Sequence, residues 1–265
     1  GASTDCTVKG IVTYTNIYKL KKYKALEEKI SSIINEVKPV VKSEIKTALQ
    51  TGAKEASMAA VEISGKQFNV LNDNQINAVL NTKWSGASYK TRVADNMNNF
   101  SRRLKSDILT AVTTGKNKDE LIKSVKNTVN TEYYKLDRIY RTELQHTLNM
   151  SQARTYAESG VKKVEWLAEL DGRCCDTCRE LNGKIFDINK ILSLVAHPNC
   201  RCTILPVLKD YKGLGSGDTT QSTPHKPPEL LDTVENITYN KAVSILKKHE
   251  AEIVKSTVEN AIVVT

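Results

Sequence analysis

Residues 171–202 read DGRCCDTCRELNGKIFDINKILSLVAHPNCRC and hold five of the chain's six cysteines and one of its four histidines. Cys175 and Cys178 form a C-x-x-C. Eighteen residues intervene before His197, which opens H-P-N-C-R-C with Cys200 and Cys202. Two ligand pairs at that separation match the usual spacing of zinc sites. Zinc takes four soft or borderline donors in a tetrahedron, and C-x-x-C with H-x-x-C can supply them from two turns. Gly183 lies between the pairs, where a hairpin would turn. Four protein ligands leave no position for a substrate, so the spacing predicts a closed structural site.

The stretch offers more donors than a tetrahedron accepts. Cys175, Cys178 and His197 make three, and either Cys200 or Cys202 is the fourth. Cys202 begins an apolar run, residues 203–207, that reads as a strand, so its thiolate could point inward. Cys200 has the shorter reach from His197. Cys174 reads as a bystander, because adjacent side chains at Cys174 and Cys175 diverge. Disulfides or buried free thiols are the alternative. A disulfide framework belongs to small secreted domains, and this chain of 265 residues with six cysteines is neither small nor cysteine-rich.

With these residues set out, the sequence resembles the phage Mu F-like minor head protein family, also called the head-morphogenesis family. The resemblance rests on Arg141-Thr142-Glu143 in a helical stretch and then Trp166. It continues through Asp171-Gly172-Arg173-Cys174-Cys175 to Cys178, Asn182-Gly183-Lys184, and His197 to Cys202. Cys174 departs from it, since the family usually has Thr or Val there. Upstream, Ile108-Leu109, Val112, Gly115 and Lys118-Asp119-Glu120-Leu121 look like the family's helix–Gly–helix lead-in. The resemblance spans residues 101–207 and implies a virion component, a minor head protein acting in head assembly near the portal. It implies the portal and major capsid proteins as partners, a place in the phage head interior near the portal, and passage through the host cytoplasm during assembly. It also implies that Arg141 or Glu143 holds the metal knuckle through Arg173 or Asp171.

Around this module the chain reads as helical. Leu20, Tyr23, Leu26, Ile30, Ile33, Ile34 and Val37 recur at three and four, which puts them on one stripe. Pro39 is expected to end or kink that helix, because it lacks an N–H and restricts Lys38. A second pattern runs through Val41, Ile45, Leu49, Ala53, Ala56, Ala60 and Ile63 to Gly65, with an alanine-rich face suited to close approach. Residues 74–82 fit a short helix. Residues 88–114 fit a long one striped by Tyr89, Val93, Met97, Phe100, Leu104, Ile108 and Val112, with Gly115 as C-cap. Asp119-Glu120 suits the start of another helix, buried through Leu121, Ile122, Val125 and Val129. Residues 131–159 make a further helix closed by Gly160. Periodicity then changes: Val164, Trp166 and Ala168 alternate with Lys163, Glu165 and Leu167, as in a strand. Residues 183–186 and 203–207 suggest two more.

The expected fold class is therefore α+β. A mostly helical N-terminal region, residues 1–100, precedes a module over 101–207 whose zinc knuckle and small sheet occupy 162–207. A Gly/Pro-rich linker follows at 208–228, then a C-terminal helix at 229–265. No apolar run is long enough for a transmembrane helix, so no membrane contact is expected. The formal charge of +9 permits weak, non-specific contact with packaged or ejected DNA and proves none. An enzyme would need a nucleophile–base pair or an open metal position. His146, His225 and His249 have no obvious partner in sequence, His197 is claimed by zinc, and no Walker-type glycine loop is present. The expectation is a non-enzymatic virion protein, and the alternative is a zinc-dependent nucleic-acid-binding protein. Strong, salt-dependent DNA affinity separates the two.

Overall fold

The computed structural model describes residues 14–64, 69–114, 116–191 and 197–208, with positions 244, 251, 252 and 255. In chain order the elements are α1 (Tyr14–Ser64), α2 (Asp73–Leu80), α3 (Tyr89–Thr113), α4 (Lys118–Glu158), β1 (Lys163–Leu167), α5 (Asp176–Leu181), β2 (Ile185–Asp187), α6 (Ile188–Ile191) and β3 (Thr203–Pro206). The three strands form one antiparallel sheet of order β2-β1-β3. The fold is α+β and mostly helical, as the sequence predicts. The N-terminal arm with Cys6, Gly65, Gly115, the linker from residue 209, and the C-terminal helix beyond those isolated positions lie outside the described residues, as do His225 and His249.

Two expected breaks are absent. Pro39 sits inside α1, which runs on for 51 residues. An interior proline costs a helix about 3 kcal/mol through one missing bond and a ring clash. Pro39 is exposed, so water can reach the carbonyl it leaves unpaired, while Val37 and Val41 on either side are fully buried. Burying such side chains contributes about 1.5–3 kcal/mol each, enough to carry the helix through. The second absent break is near residue 130, where α4 continues unbroken for 41 residues. Asn117 and Glu120 form a reciprocal capping box at its start, each side chain accepting from the other's backbone N–H at 3.0 Å. Gly160, at φ +78, closes it: its N–H reaches the Ala157 carbonyl and that of Val161 reaches Tyr156, both at 3.0 Å. This is a Schellman closure, with Tyr156 and Val161 both buried.

The described residues divide into two compact units. One takes α1 to Lys38, α3 from Met97 and α4 to Glu132. Its buried residues include Ile30, Ile33, Val37, Met97, Leu104, Ile108 and Val125, on the stripes read from sequence. Ion pairs Arg103–Glu132 at 2.8 Å and Lys105–Glu27 at 3.4 Å lie within it.

The other unit takes α1 from Pro39, α2, α3 to Asn96 and the chain from Tyr133. Here the alanine face of α1 meets α4. Ala53, Ala56 and Ala60 are buried, and a Cβ at Gly52 would come within 2.9 Å of Leu144 Cδ1. Ser57 Oγ lies 2.8 Å from Thr155 Oγ1 and accepts from the Leu71 N–H at 2.9 Å. Trp84 opens a tight turn in which Ser85 (φ +48) and Gly86 (φ +84) are left-handed, the geometry of a two-residue hairpin loop. Trp84 Nε1 donates to Glu143 Oε2 at 2.9 Å. Arg92 donates to Glu143 Oε1 and to the Trp84 carbonyl, and its guanidinium sits 4.3 Å from the indole centroid. His146 stacks on the same indole at 4.7 Å. His146, without an obvious partner in sequence, is thus buried against Trp84, and Glu143 belongs to this network.

Burial, and then the Arg92 charge, lower the His146 pKa from 6.5 to about 4. Burial pushes the Glu143 carboxyl up, against the downward pull of Trp84 and Arg92. The two act on stability with opposite sign. The unfolded chain takes up the His146 proton first, so the His146 contribution is complete above about pH 6.5 and is lost as pH falls towards 4. NMR of histidine-labelled protein should show the His146 imidazole titrating well below the ordinary range. Wild type should lose up to about 3 kcal/mol relative to His146→Gln over that interval, in denaturant melts at matched pH. Gly52→Leu should lower stability by about 1–3 kcal/mol in the same assay, because the α1–α4 contact has no room for the side chain.

Candidate metal centre

The sheet and both cysteine turns pack on α4. Val164, Trp166, Ile204, Cys178, Cys200 and Cys202 share one buried cluster with Ala153 and Tyr156 of α4 and Ala60 of α1. In β1 the expected alternation fails at Glu165, which is 3 % exposed. This is the central strand, and a Cβ on Gly183 would lie 3.7 Å from Glu165 Oε1, so the loop after α5 covers that side as well.

The first turn begins at Asp171, which accepts from the Arg173 N–H at 2.9 Å while its carbonyl accepts from Cys174 N–H at 3.1 Å. Cys175 is the N-cap of α5, its sulfur accepting from the Cys178 N–H at 3.4 Å. That cap puts both sulfurs on one side of a single helical turn. The loop returns to β1 through three bonds: Ala168 N–H to Asn182 Oδ1 at 2.9 Å, Gly183 N–H to Trp166 O at 2.8 Å, and Trp166 N–H to Lys184 O at 2.9 Å. Gly183 takes φ +76, the left-handed conformation a glycine adopts freely, and β2 follows directly.

The second turn, residues 197–202, is held by a polar row on α4. Thr142 Oγ1 accepts from the Asn199 N–H at 3.1 Å. Gln145 Nε2 and Asn149 Nδ2 both donate to the Cys202 carbonyl at 2.9 Å. Thr203 Oγ1 donates to Gln152 Oε1 at 3.1 Å. Positions 142, 145, 149 and 152 recur at three and four on one helix face. The residue of the Arg-Thr-Glu triplet that reaches the knuckle in this way is the middle one, Thr142. Arg141 pairs with Asp137 at 3.1 Å, and Glu143 meets Trp84 and Arg92. Asp171 is engaged by Arg201 and Arg173, which hold its carboxyl well below the usual range, and the Arg201 pair ties the first turn to the second.

The two turns bring the donors together. His197 Nε2 lies 2.8 Å from Cys178 Sγ and 3.3 Å from Cys175 Sγ, and Cys178 Sγ lies 3.8 Å from Cys200 Sγ. Cys175, Cys178 and His197 form one group with donor atoms within 4.8 Å of each other, and Cys178, Cys200 and Cys202 form another. Cys178 is common to both, and Cys174 belongs to neither. His197 Nδ1 lies 2.9 Å from the Pro198 carbonyl, to which its N–H donates, which leaves the Nε2 lone pair facing the sulfurs. Two sulfurs bound to zinc at about 2.3 Å in a tetrahedron sit about 3.8 Å apart, so the cluster has the right scale and donor chemistry. The thiols are crowded: hydrogen bonds from Cys200 and Cys178 lower Cys202 to about 6, while burial and its neighbours push Cys178 up to about 12. This cluster could hold a metal ion.

Replacing Gln145 and Asn149 together by Leu strips the Cys202 carbonyl of both donors. A buried carbonyl left unpaired costs about 1–3 kcal/mol. The double variant should lose about that much in denaturant melts, with near-ultraviolet dichroism of Trp166 changed and most helical signal kept.

Comparison with known proteins adds three findings. Residues 102–205 match the family described as "Phage Mu protein F like protein". A curated relative, the NAD(+)--arginine ADP-ribosyltransferase EFV of Enterococcus faecalis (strain ATCC 700802 / V583), is 24% identical over 157 residues, covering 52% of this chain and 32% of that protein. The chain therefore spans about a third of that relative's length. No solved structure matches. The cysteine and histidine turns, all of α4 and the sheet up to Leu205 fall inside the matched segment, and over residues 102–205 the chain is similar to the phage Mu protein F-like family.

Proposed function

We propose that the protein is a bacteriophage minor head protein that acts in head morphogenesis, bound to the portal and the inner capsid. The observation that carries this reading is the family match over 102–205, which supports a phage head-morphogenesis protein, a virion location and capsid-related partners. In this reading the module at 101–207 contains a closed zinc knuckle at 162–207. Cys175, Cys178, His197 and one of Cys200 or Cys202 hold the ion, as the sequence spacing suggests. A bound zinc would supply folding free energy, of order 10 kcal/mol in isolated zinc peptides and less where the apo form keeps structure. The chain's own residues do the rest. Asp171 and Arg201 join the two turns, and Thr142, Gln145 and Asn149 fix the second turn to α4. The N-terminal region, residues 1–100, and the C-terminal helix at 229–265 are the proposed docking arms, with residues 208–228 as linker. Among the described residues no helix is long and apolar enough to cross a membrane.

The named activity of the Enterococcus faecalis relative favours a second reading, an ADP-ribosyltransferase. It competes weakly, because two thirds of that relative lies beyond the aligned length. A nucleic-acid-binding role is the other alternative, supported by the charge of +9.

Co-expression with the portal protein of the same phage should give a co-purifying complex, and elemental analysis should give about one zinc per chain. Absence of a complex, together with fully infectious heads after deletion of the gene, would sink the head-protein reading. DNA binding should be weak and fall steeply between low and physiological salt. Tight, sequence-selective binding at physiological salt would promote the nucleic-acid reading, and consumption of NAD with labelling of arginine the transferase one.

A further inference from the structure

The two donor groups meet at Cys178, and the sequence leaves Cys200 and Cys202 equal. Cys200 Sγ lies 3.8 Å from Cys178 Sγ and Cys202 Sγ lies within 4.8 Å of both, so separation from Cys178 leaves either able to share an ion with it. Three other features separate them. The first is register. Trp166 stands opposite Ile204 across the β1–β3 ladder, and Cys202 precedes Ile204 by two residues. In an antiparallel pair that makes Trp166 and Cys202 diagonal neighbours on one face, the face packed on α4.

The second is an orphaned donor. Trp166 is 4 % exposed, and its Nε1–H is buried with no hydrogen-bond partner of ordinary geometry. The Cys202 sulfur, its diagonal neighbour in the ladder, is buried in the same cluster and is the acceptor that the register brings to this indole. A buried donor left unmade costs about 1–3 kcal/mol. A thiol is a weak acceptor, whereas a thiolate is a strong one, and a metal ligand is a thiolate. An indole N–H directed at a ligating sulfur is satisfied, as the hydrogen bonds around metal ligands usually are.

The third is rigidity. The Cys202 carbonyl is held by two amides of α4, and the next residue enters β3. Cys200 is held by a turn bond from its N–H to the His197 carbonyl at 3.1 Å. A ligand set is most precise where its backbone is fixed by neighbouring elements.

Resting on the zinc reading above, we propose that Cys202 completes the site with Cys175, Cys178 and His197, that the Trp166 indole N–H donates to its thiolate, and that Cys200 is a non-ligating thiol packed against them. Trp166 is then a positioning residue for the metal, and the ion is tied through Cys202 to both β1 and α4.

The test uses the full chain and Co(II), whose visible and charge-transfer bands report tetrahedral geometry and the number of thiolates. Wild type and Cys200→Ser should give the same three-thiolate spectrum at one Co(II) per chain. Cys202→Ser should lose the charge-transfer intensity of one thiolate and bind at least 100-fold more weakly. Trp166→Phe, which keeps an aromatic ring but removes the indole N–H, should keep the ligand count, shift the charge-transfer band and weaken binding about 10- to 100-fold. The Trp166 indole proton should move downfield on addition of zinc, which is diamagnetic, in wild type and Cys200→Ser, and stay put in Cys202→Ser. A Cys202→Ser variant that keeps the full spectrum overturns the assignment, as does a Cys200→Ser variant that loses it. Wild type that takes up no Co(II) or zinc refutes the metal reading itself, a result distinct from either.

Discussion

The sheet module depends on a pair of hydrogen bonds that meet at one atom. Gln145 and Asn149 both reach the carbonyl of Cys202 from α4. That carbonyl sits where the second cysteine turn becomes β3, so anchoring it fixes the turn on one side and starts the strand on the other. β3 then pairs with β1, and β1 holds the loop of the first turn through Trp166 and Ala168. The placement of the two cysteine turns against each other follows from this chain of contacts. The helix supplies direction, because a straight row of side chains at 142, 145, 149 and 152 can address successive backbone groups of an irregular segment.

A small sheet of three short strands buries little by itself and is marginal without a partner layer. Here α4 is that layer, with Ala153 and Tyr156 against Val164, Trp166 and Ile204. The close approach of α1 to α4 at Gly52, Ala53 and Ala56 supports the helix from behind. Ser57, bonded to both Thr155 and the Leu71 N–H, adds a polar tie where water is excluded. The proposed head protein would thus present a metal-sized cluster on a rigid helix rather than on a free loop.

The same helix carries a second buried polar group within two turns of Asn149, in Glu143 and His146. Glu143 faces Trp84 and Arg92, while its neighbour Thr142 faces the second cysteine turn. Adjacent helix positions point about 100° apart, so neighbouring residues of one triplet serve different walls of the unit. This explains why Arg141-Thr142-Glu143 reads as a single motif in sequence yet distributes its contacts.

The sequence by itself determined the amphipathic stripes, the strand run at 163–167, the glycine stops at Gly160 and Gly183, and the two cysteine turns, because each follows from local periodicity or from a backbone conformation only certain residues adopt easily. It overstated Pro39 and the residues near 130 as breaks, because propensity is local and the burial of Val37 and Val41 is not. It missed the burial of Glu165, since alternation assumes one wet face and β1 has neither. It saw Cys200 and Cys202 as equivalent and His146 as isolated. Only the tertiary structure put Trp166 beside Cys202, Trp84 under His146 and the amides of Gln145 and Asn149 on one carbonyl. Those contacts join residues about fifty apart or on different elements, and their energy depends on distance and burial that no spacing along the chain encodes.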